Sequence, residues 1–234
     1  MVRRLLPAPI AELSDDVLRA AYGFPEQRPW VRANMVSTLD GAMRGPDGGS
    51  RSISTPADQR VFSIARADAD VILVGAGTIR AEDYRPSKKI VAIVSNRLDL
   101  PLTLRMLAER TDDNPRPIAF ATDTAAADAS DELRTLIEVV PCGVDSVDLH
   151  RVIAELAARG LGHIHCEGGP SLLGDLAAAG LLDELLLTVA PRLLGGGPGE
   201  HILTVAGGFD PPLHLTPTHV LEEDGSVFIR ARVN

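Results

Sequence analysis

Residues 163–175, HIHCEGGPSLLGD, constrain the fold of this chain more than any other part of its sequence, because two adjacent glycines interrupt a strand-like run there. A short apolar strand stops at Gly168 and Gly169, and Pro170 stands at the first helical position, where its fixed φ and missing N–H are tolerated. Leucines and alanines follow at helical spacing, and Gly180 is placed to end the helix. The pattern predicts a strand–turn–helix unit whose free amides can hold a phosphate. The alternative is a tight turn without a ligand.

Apolar strands followed by helices recur along the rest of the chain. The run 71–74 is apolar at every position, which is typical of a parallel strand buried on both faces. Thr55, Pro56 and Asp58 predict a capped helix start, with Asp58 as the reciprocal acid. Asp224-Gly225 indicates the turn of an antiparallel hairpin. The predicted strands are 30–39, 70–74, 90–94, 117–121, 137–140, 163–166, 184–190 and a pair within 213–233; helices are predicted near 14–21, 56–67, 133–136 and 149–157 and after residues 75–78 and 169.

This alternation predicts an α/β fold with a mostly parallel central sheet, helices on both faces and an antiparallel C-terminal hairpin. We expect one main domain over residues 30–234 and a Pro-rich N-terminal extension, residues 1–29, packed on it. Loops are expected at 85–89, 112–116 and 195–200.

Charge and cysteine content limit the possible partners. A formal net charge of −9 argues against a nucleic-acid surface, which needs a basic stripe. It still allows one small anionic ligand, because local donors govern such a site. Cys142 and Cys166 lie in apolar runs, which indicates buried free thiols in a reducing compartment. With no signal peptide and no apolar run long enough to span a bilayer, we expect a cytoplasmic protein with no membrane partner.

Three predicted strand ends share a polar or glycine-rich character: Gly75–Thr78, Ser95–Arg97 and Gly168–Ser171. In a parallel sheet these ends open on one edge, where ligands of α/β sheets bind. Two glycine turns can hold a pyrophosphate, and Arg97 can hold a further phosphate through its planar guanidinium. This set predicts NADPH rather than NADH, although neither turn has the Rossmann spacing. The alternative for Arg97 is a solvated loop arginine.

Acidic side chains stand beside the predicted cleft, and each has an ordinary surface or capping role as its alternative. They are Asp40, Glu82, Asp83 and Glu167. The segment 165–167 matches the H-x-E half of a zinc deaminase site, but the P-C-x-x-C half is absent, so we expect no metal.

Several motifs, taken in order, resemble a known family. They are Ser37–Gly41, Val74–Thr78, Glu167–Leu173, Asp183–Leu185 and Ala190-Pro191. The set resembles the reductase domain of bacterial riboflavin biosynthesis, the pyrimidine reductase family with the dihydrofolate reductase-like fold. The similarity runs from about Trp30 to the C-terminus, without the deaminase domain to which this reductase is often fused.

The resemblance implies reduction of the ribosylamino group of 5-amino-6-(5-phosphoribosylamino)uracil to a ribitylamino group with NADPH, and a homodimer. It implies substrate contacts at Ser50, Arg66 and Glu167, and a 2′-phosphate site at Ser95-Asn96-Arg97. Where relatives carry a downstream phosphate-binding arginine, Arg85 in the run 82–86 is the candidate replacement. Together with the glycine turns, the predicted cofactor-binding residues are Val36, Gly75, Gly77, Thr78, Glu82, Ser95, Asn96, Arg97, Gly168, Gly169, Pro170, Ser171, Leu172 and Leu173.

Under this hypothesis a hydride passes from the nicotinamide to the ribose C1′ carbonyl or imine carbon. Arg66 anchors an anionic end of the substrate, and Glu167 or Asp40 orients hydroxyls or relays a proton. Two rival functions stay open at this point. One is a pterin or dihydrofolate reductase on the same fold, and the other is a non-catalytic NADPH-binding protein.

Overall fold

The computed structural model describes residues 3–7, 12–195 and 201–234 and shows ten strands in one sheet with eight helices. The strands are β1 (Arg3–Leu6), β2 (Trp30–Thr38), β3 (Val71–Gly75), β4 (Ile90–Val94), β5 (Ile118–Ala121), β6 (Glu138–Pro141), β7 (His163–Cys166), β8 (Glu184–Ala190), β9 (Leu215–Glu223) and β10 (Ser226–Val233). The helices are α1 (Asp15–Tyr22), α2 (Pro56–Ala67), α3 (Ala76–Glu82), α4 (Arg105–Ala108), α5 (Asp123–Ala127), α6 (Asp131–Leu136), α7 (Leu149–Ala158) and α8 (Pro170–Ala178).

The strand order is β1-β9-β10-β8-β2-β7-β3-β4-β5-β6. From β8 to β6 every neighbouring pair is parallel, whereas β10, β9 and β1 add antiparallel strands at one edge. The turn between β9 and β10 is Asp224-Gly225. Both residues have positive φ, at 51° and 80°, as is typical of the two central residues of a tight β-hairpin turn. The predicted α/β fold with an antiparallel C-terminal hairpin is therefore confirmed.

Helices cover both faces of the sheet. On one face α7 and α8 pack against alternate residues of β2, β7, β3, β4 and β5. On the other face α3 to α6 pack against the intervening residues of β3, β4 and β5, while α1 and α2 cover β8, β9 and β10. The central strands are buried on both sides, which explains why their sequences are continuously apolar. None of the described helices combines the length and apolar character needed to cross a bilayer.

The N-terminal part of the chain contributes more structure than the sequence indicated. The strand β1 was not predicted, and it extends the sheet by pairing with β9. The helix α1 begins at its predicted cap, since Ser14 Oγ accepts from the Val17 amide, and it packs on α2 through Leu18 and Tyr22. The domain boundary at residue 29 stays a prediction.

Local differences from the predicted elements have simple causes. Thr55 caps α2 as expected, but the Asp58 carboxylate accepts from the Ser54 hydroxyl at 2.6 Å instead of closing a reciprocal bond to the cap. The short helices α4 and α5 were missed because four or five residues show too little periodicity. Of the loop predicted at 195–200, residues 196–200 lie outside the described residues.

Candidate active site

A cleft of about 610 Å³ lies at the carboxyl edge of the sheet, within the size range of small-molecule sites. Its walls come from the end of β2, the segment that follows it, one face of α2, the end of α3 with the segment after it, and the turn after β7. The lining residues are Asn34, Met35, Val36, Met43, Arg44, Ser50, Arg51, Ser54, Asp58, Gln59, Phe62, Arg66, Thr78, Ala81, Glu82, Tyr84, Arg85, Pro86, Ser87, Glu167 and Gly169. Eight predicted site residues are among them: Val36, Ser50, Arg66, Thr78, Glu82, Arg85, Glu167 and Gly169.

The two predicted glycine turns meet at this cleft. The Gly75 amide donates to the Gly168 carbonyl at 2.8 Å, which joins the end of β3 to the turn after β7. A Cβ on Gly169 would lie 2.7 Å from Thr78 Oγ1, so any larger residue here would force the Thr78 side chain to move. Gly168 has a φ of 82°, a conformation that other residues rarely adopt, and the Gly168–Gly169 peptide is cis. Gly77 faces open space.

The helices that start at these turns have uncapped amino ends. Gly75 begins α3 and Gly169 begins α8, and no side chain of the described residues caps either helix. By contrast, α1, α2, α5, α6 and α7 each start at a Ser, Thr or Asp whose side chain accepts an amide hydrogen bond, and the short α4 is the other helix without a side-chain cap among those described. Uncapped amides at a helix start are hydrogen-bond donors for an anion. Leu172 and Leu173 are buried in the core, so at these two predicted positions only the backbone could contact a ligand, whereas Ser171 beside them is exposed.

Glu167 forms the polar centre of the cleft. Its Oε2 atom accepts a hydrogen bond from Tyr84 Oη at 2.6 Å, and Arg66 Nε lies 3.2 Å from its Oε1 atom. The side chain of Glu167 is 5% exposed, and Oε1 accepts no hydrogen bond from the described residues. The Arg66 contact is therefore an ion pair without hydrogen-bond geometry. A buried carboxylate oxygen that lacks a donor is suited to accept one from a ligand.

Burial sets the proton affinities in this group. Desolvation raises the pKa of Glu167, and the neighbouring Arg66 charge and Tyr84 hydroxyl only partly oppose that rise. Burial also raises the pKa of Tyr84 well above 10, so that the phenol keeps its proton. His165 lies on β7, two residues before Glu167. It is fully buried, with its ring in edge contact with Phe62. Burial lowers the pKa of His165 well below 6.5, so its ring is neutral.

Arginines are concentrated at the cleft in an otherwise acidic chain. Arg44, Arg51, Arg66 and Arg85 line it, together with the carboxylates of Asp58, Glu82 and Glu167. Arg66 lies over the Phe62 ring, with its guanidinium carbon 5.3 Å from the ring centroid. Planar guanidinium groups are the preferred partners of phosphate and carboxylate oxygens.

Glu82 ties the segment after β2 to α3. Its Oε1 accepts from the Ser50 amide at 2.7 Å, and a Cβ on Gly49 would lie 3.2 Å from Oε2. The Arg51 guanidinium donates to the Glu82 carbonyl at 3.3 Å. This residue thus lines the cleft as predicted, and its carboxylate also holds the adjoining wall in place.

Asp40, the other predicted catalytic acid, is not among the residues that line the cleft. Its carboxylate accepts hydrogen bonds from the Thr38 hydroxyl and from the amides of Leu194 and Gly195, the latter two at 2.9 and 2.7 Å. The Thr38 hydroxyl, followed by the Gly195 amide, lowers the pKa of Asp40. In this position Asp40 joins the ends of β2 and β8, and we do not propose it as a proton relay.

The third predicted strand end lies further along the same edge. Ser95 is buried, and its amide donates to the Phe120 carbonyl at 3.0 Å. Asn96 Oδ1 accepts from the Val147 amide at 2.9 Å, whereas Arg97 is exposed and lines a second cavity of about 550 Å³. The structure therefore brings two of the three strand ends into one cleft and places Arg97 at a neighbouring one.

Some cleft residues were missed by the sequence analysis. Asp58 and Phe62 precede the predicted Arg66 on α2 at spacings of four residues, so their common face was readable once the helix was predicted. The contact between Tyr84 and Glu167 had no such signal, because 83 residues separate the two in sequence.

Comparison with known proteins agrees with this architecture. The sequence model of the RibD C-terminal domain matches residues 29–227. The chain is 28% identical over 186 residues to the 2,5-diamino-6-ribosylamino-4(3H)-pyrimidinone 5′-phosphate reductase of Archaeoglobus fulgidus, covering 72% of this chain and 83% of that protein. It is 31% identical over 179 residues to the protein of the same name from Methanothermobacter thermautotrophicus, covering 72% and 81%.

Solved structures support the fold. The crystal structure of a pyrimidine reductase-like protein from Corynebacterium diphtheriae aligns with a TM-score of 0.75 at 23% identity, covering 88% of this chain and 92% of that one. Dihydrofolate reductase from Enterococcus faecalis aligns with a TM-score of 0.51 at 12% identity, covering 88% and 98%. These likenesses show a shared dihydrofolate reductase-like fold. Because the family match spans most of its length, this chain belongs to the RibD C-terminal domain family.

Proposed function

We propose that this chain is an NADPH-dependent oxidoreductase that reduces the ribosylamino group of 5-amino-6-(5-phosphoribosylamino)uracil, an intermediate of riboflavin biosynthesis. Membership of the family supports this proposal, as do the relatives named as reductases of a closely related phosphorylated pyrimidinone. The structural observation that carries it is the buried Glu167 carboxylate, held between Arg66 and Tyr84 beside the paired glycine turns.

The paired turns suit a nicotinamide dinucleotide, which family and fold together imply. The uncapped amides at the start of α8 would hold its pyrophosphate. Thr78 and Gly169, which lie close to each other, would adjoin it. Arg97 at the neighbouring cavity would hold a 2′-phosphate, which is why we propose NADPH. When bound, the nicotinamide supplies the hydride. Val36 and Glu82 would form the adjoining wall.

The remaining part of the cleft suits a phosphorylated sugar. Arg44, Arg51 and Arg85 would bind the 5′-phosphate through guanidinium donors. Arg66 would donate to the sugar, and Glu167 Oε1 would accept from a sugar hydroxyl. These contacts would orient C1′ toward the nicotinamide, and this positioning is the main contribution that the chain itself makes.

The activity can be measured as loss of NADPH absorbance with three compounds side by side. They are 5-amino-6-(5-phosphoribosylamino)uracil, 2,5-diamino-6-ribosylamino-4(3H)-pyrimidinone 5′-phosphate and dihydrofolate. We expect turnover of the aminouracil, little turnover of dihydrofolate, and a much higher KM for NADH than for NADPH. Preference for the diamino compound would reassign the substrate within its class. Turnover of dihydrofolate alone would establish the rival function, and NADPH binding without any turnover would contradict an enzymatic role.

Arg66→Ala tests the substrate site directly. We expect KM for the phosphoribosyl pyrimidine to rise roughly tenfold to a hundredfold, because charge-assisted hydrogen bonds are lost, while the Kd for NADPH changes little. Arg60→Ala is the matched control on the same helix, since Arg60 points away from the cleft toward Asp15 and Glu223. Equal losses of substrate and NADPH affinity in Arg66→Ala would count against the assignment.

We also propose that the enzyme is a homodimer, as the family resemblance implies. Sedimentation equilibrium of the full chain measures this, and a mass equal to one chain at micromolar concentration would refute it.

A further inference from the structure

Tyr84 is a cleft residue to which neither the sequence pattern nor the family resemblance assigns a role. It lies two residues after the end of α3, lines the cleft, and its partly buried ring packs against the core under α3 and α4. Its hydroxyl donates to Glu167 Oε2 at 2.6 Å, a short bond of the kind made to a charged acceptor.

The two oxygens of Glu167 have different partners. Arg66 Nε lies 3.2 Å from Oε1, but only as an ion pair, and the Arg66 side chain is 28% exposed. Among the described residues, the hydrogen bond from Tyr84 is the one that orients the carboxylate, and the tyrosine ring is held by packing against the core. The Arg66 guanidinium can turn toward a ligand because it makes no hydrogen bond to Glu167, whereas the Tyr84 phenol is held by its hydrogen bond and by the packing of its ring.

We propose that Tyr84 is a positioning residue, which holds Glu167 Oε2 and so aims the carboxylate, with Oε1 open to a ligand, into the cleft. The benefit to substrate turnover rests on the function proposed above. The effect on Glu167 itself does not, and it can be measured without any substrate.

The charges around Glu167 agree with this role. Arg66 faces it from α2, Tyr84 from the segment after α3, and Glu82 from α3 lies near the Tyr84 hydroxyl. Cys166 precedes it on β7, where burial raises the thiol pKa to about 12, so this neighbour adds no charge. Burial raises the pKa of Glu167, and the Tyr84 hydroxyl is one of two groups that lower it. Removing that hydroxyl should therefore favour the protonated acid.

The direct test is a pH titration of the side-chain carboxyl carbons by NMR, in full-length protein labelled with 13C-glutamate. Glu167→Gln assigns the signal, and Tyr84→Phe removes the hydroxyl while keeping the ring. We expect the pKa of Glu167 to rise by about one unit in Tyr84→Phe, the effect of losing one hydrogen bond to a charged group. Tyr22→Phe is the matched control, because Tyr22 is the only other tyrosine and is packed between α1 and α2 outside the cleft. An unchanged Glu167 titration, or an equal shift in Tyr22→Phe, would overturn the proposal.

Kinetics separate positioning from simple packing. With the phosphoribosyl pyrimidine as substrate, Tyr84→Phe should move the acidic limb of the kcat/KM profile upward by the same amount as the NMR titration. In a Glu167→Gln background the same change should leave the profile unaltered. A uniform drop in kcat/KM at every pH, with no movement of the limb, would overturn the positioning role. An NMR shift without turnover in any variant would instead refute the proposed function and leave the Tyr84–Glu167 coupling intact.

Discussion

Glu167 shows how a single residue at this site serves function at the expense of stability. A carboxylate that is almost fully buried loses most of its hydration, and the nearby Arg66 and Tyr84 restore only part of it. The raised pKa of Glu167 expresses this cost, because the folded protein binds the proton more tightly than the unfolded chain does. Residues of this kind are common in active sites, where stability is exchanged for preorganised charge.

The difference in stability between the native protein and a Glu167→Gln variant should therefore depend on pH in a defined direction. Because the folded pKa is raised, the stabilisation from the protonated acid is present at low pH and is lost as pH rises through the folded pKa. Relative to the Gln variant, the native protein should lose about 1.4 kcal/mol of unfolding free energy for each unit by which the pKa is raised. Urea unfolding between about pH 4 and pH 8 measures this difference. Glu132→Gln, exposed on α6, is the control, and a pH-independent difference for Glu167→Gln would contradict the argument.

At the scale of elements, a buried charge cluster joins α1 to β2, β8 and β10. Glu184 on β8 contacts Arg32 on β2 and Arg230 on β10, with both Nε–Oε distances at 2.5 Å. Arg32 also donates to the Tyr22 carbonyl at 2.5 Å and to the Gly23 carbonyl at 2.9 Å. The cluster thus satisfies carbonyl groups at the C-terminal end of α1 and connects the N-terminal part of the chain to the sheet.

Glu184→Gln should destabilise the protein strongly, because it leaves two guanidinium groups buried without a counter-charge. We expect a loss of roughly 3–5 kcal/mol in unfolding free energy, measured by urea titration. Glu155→Gln removes an i,i+4 partner of Arg159 on the surface of α7, and it should cost less than about 0.5 kcal/mol. Similar losses in both variants would refute the special role of burial.

The packing of α8 is set by a glycine inside the helix. A Cβ on Gly174 would overlap the carbonyl oxygen of Thr204, in the segment that crosses over this helix. The Thr204 amide also donates to the Pro170 carbonyl at 3.0 Å, so this backbone is tied close to α8.

Gly174→Ala should therefore lower Tm even though alanine favours helices by about 1 kcal/mol over glycine. We expect a net loss of at least about 2 kcal/mol, since a backbone atom must move. Gly77→Ala in α3, where a Cβ would meet open space, should raise the stability of the protein without ligand. A higher Tm for Gly174→Ala would show that the contact with Thr204 is absent in solution.

At the scale of the whole molecule, the cleft does not share the acidic excess of the chain. The chain has a formal net charge of −9, yet four arginines line the cleft against three carboxylates, those of Asp58, Glu82 and Glu167. Net charge therefore says little about the ligand, because the local donors create the field that a bound anion meets.

Substrate affinity should fall as salt rises. We expect KM for the phosphoribosyl pyrimidine to increase severalfold between about 0.05 M and 0.5 M NaCl, because added ions screen the partly exposed guanidinium groups. The dephosphorylated pyrimidine is the control, and its KM should change little. An equal salt effect on both compounds would place the arginines away from the 5′-phosphate.

Secondary structure and topology class were largely encoded in local patterns. Continuously apolar strands, helix caps such as Ser14 and Thr55, and the Asp224-Gly225 turn each act within a few residues. The strand β1 and the short helices α4 and α5 escaped prediction, because β1 is held by pairing with β9 and the helices are too short to show a period.

The sequence by itself determined the α/β class, the two glycine turns and eight of the residues that line the cleft, because strand periodicity, helix starts and glycine conformations are local properties of the chain. Only the tertiary structure decided which of these residues meet. It brought Tyr84 to Glu167, and it placed Asp40 among the amides of Leu194 and Gly195 and Arg97 at a neighbouring cavity. The physical reason is that a carboxylate takes its role from its burial and its donors, and strand order supplies both by joining segments far apart in the chain.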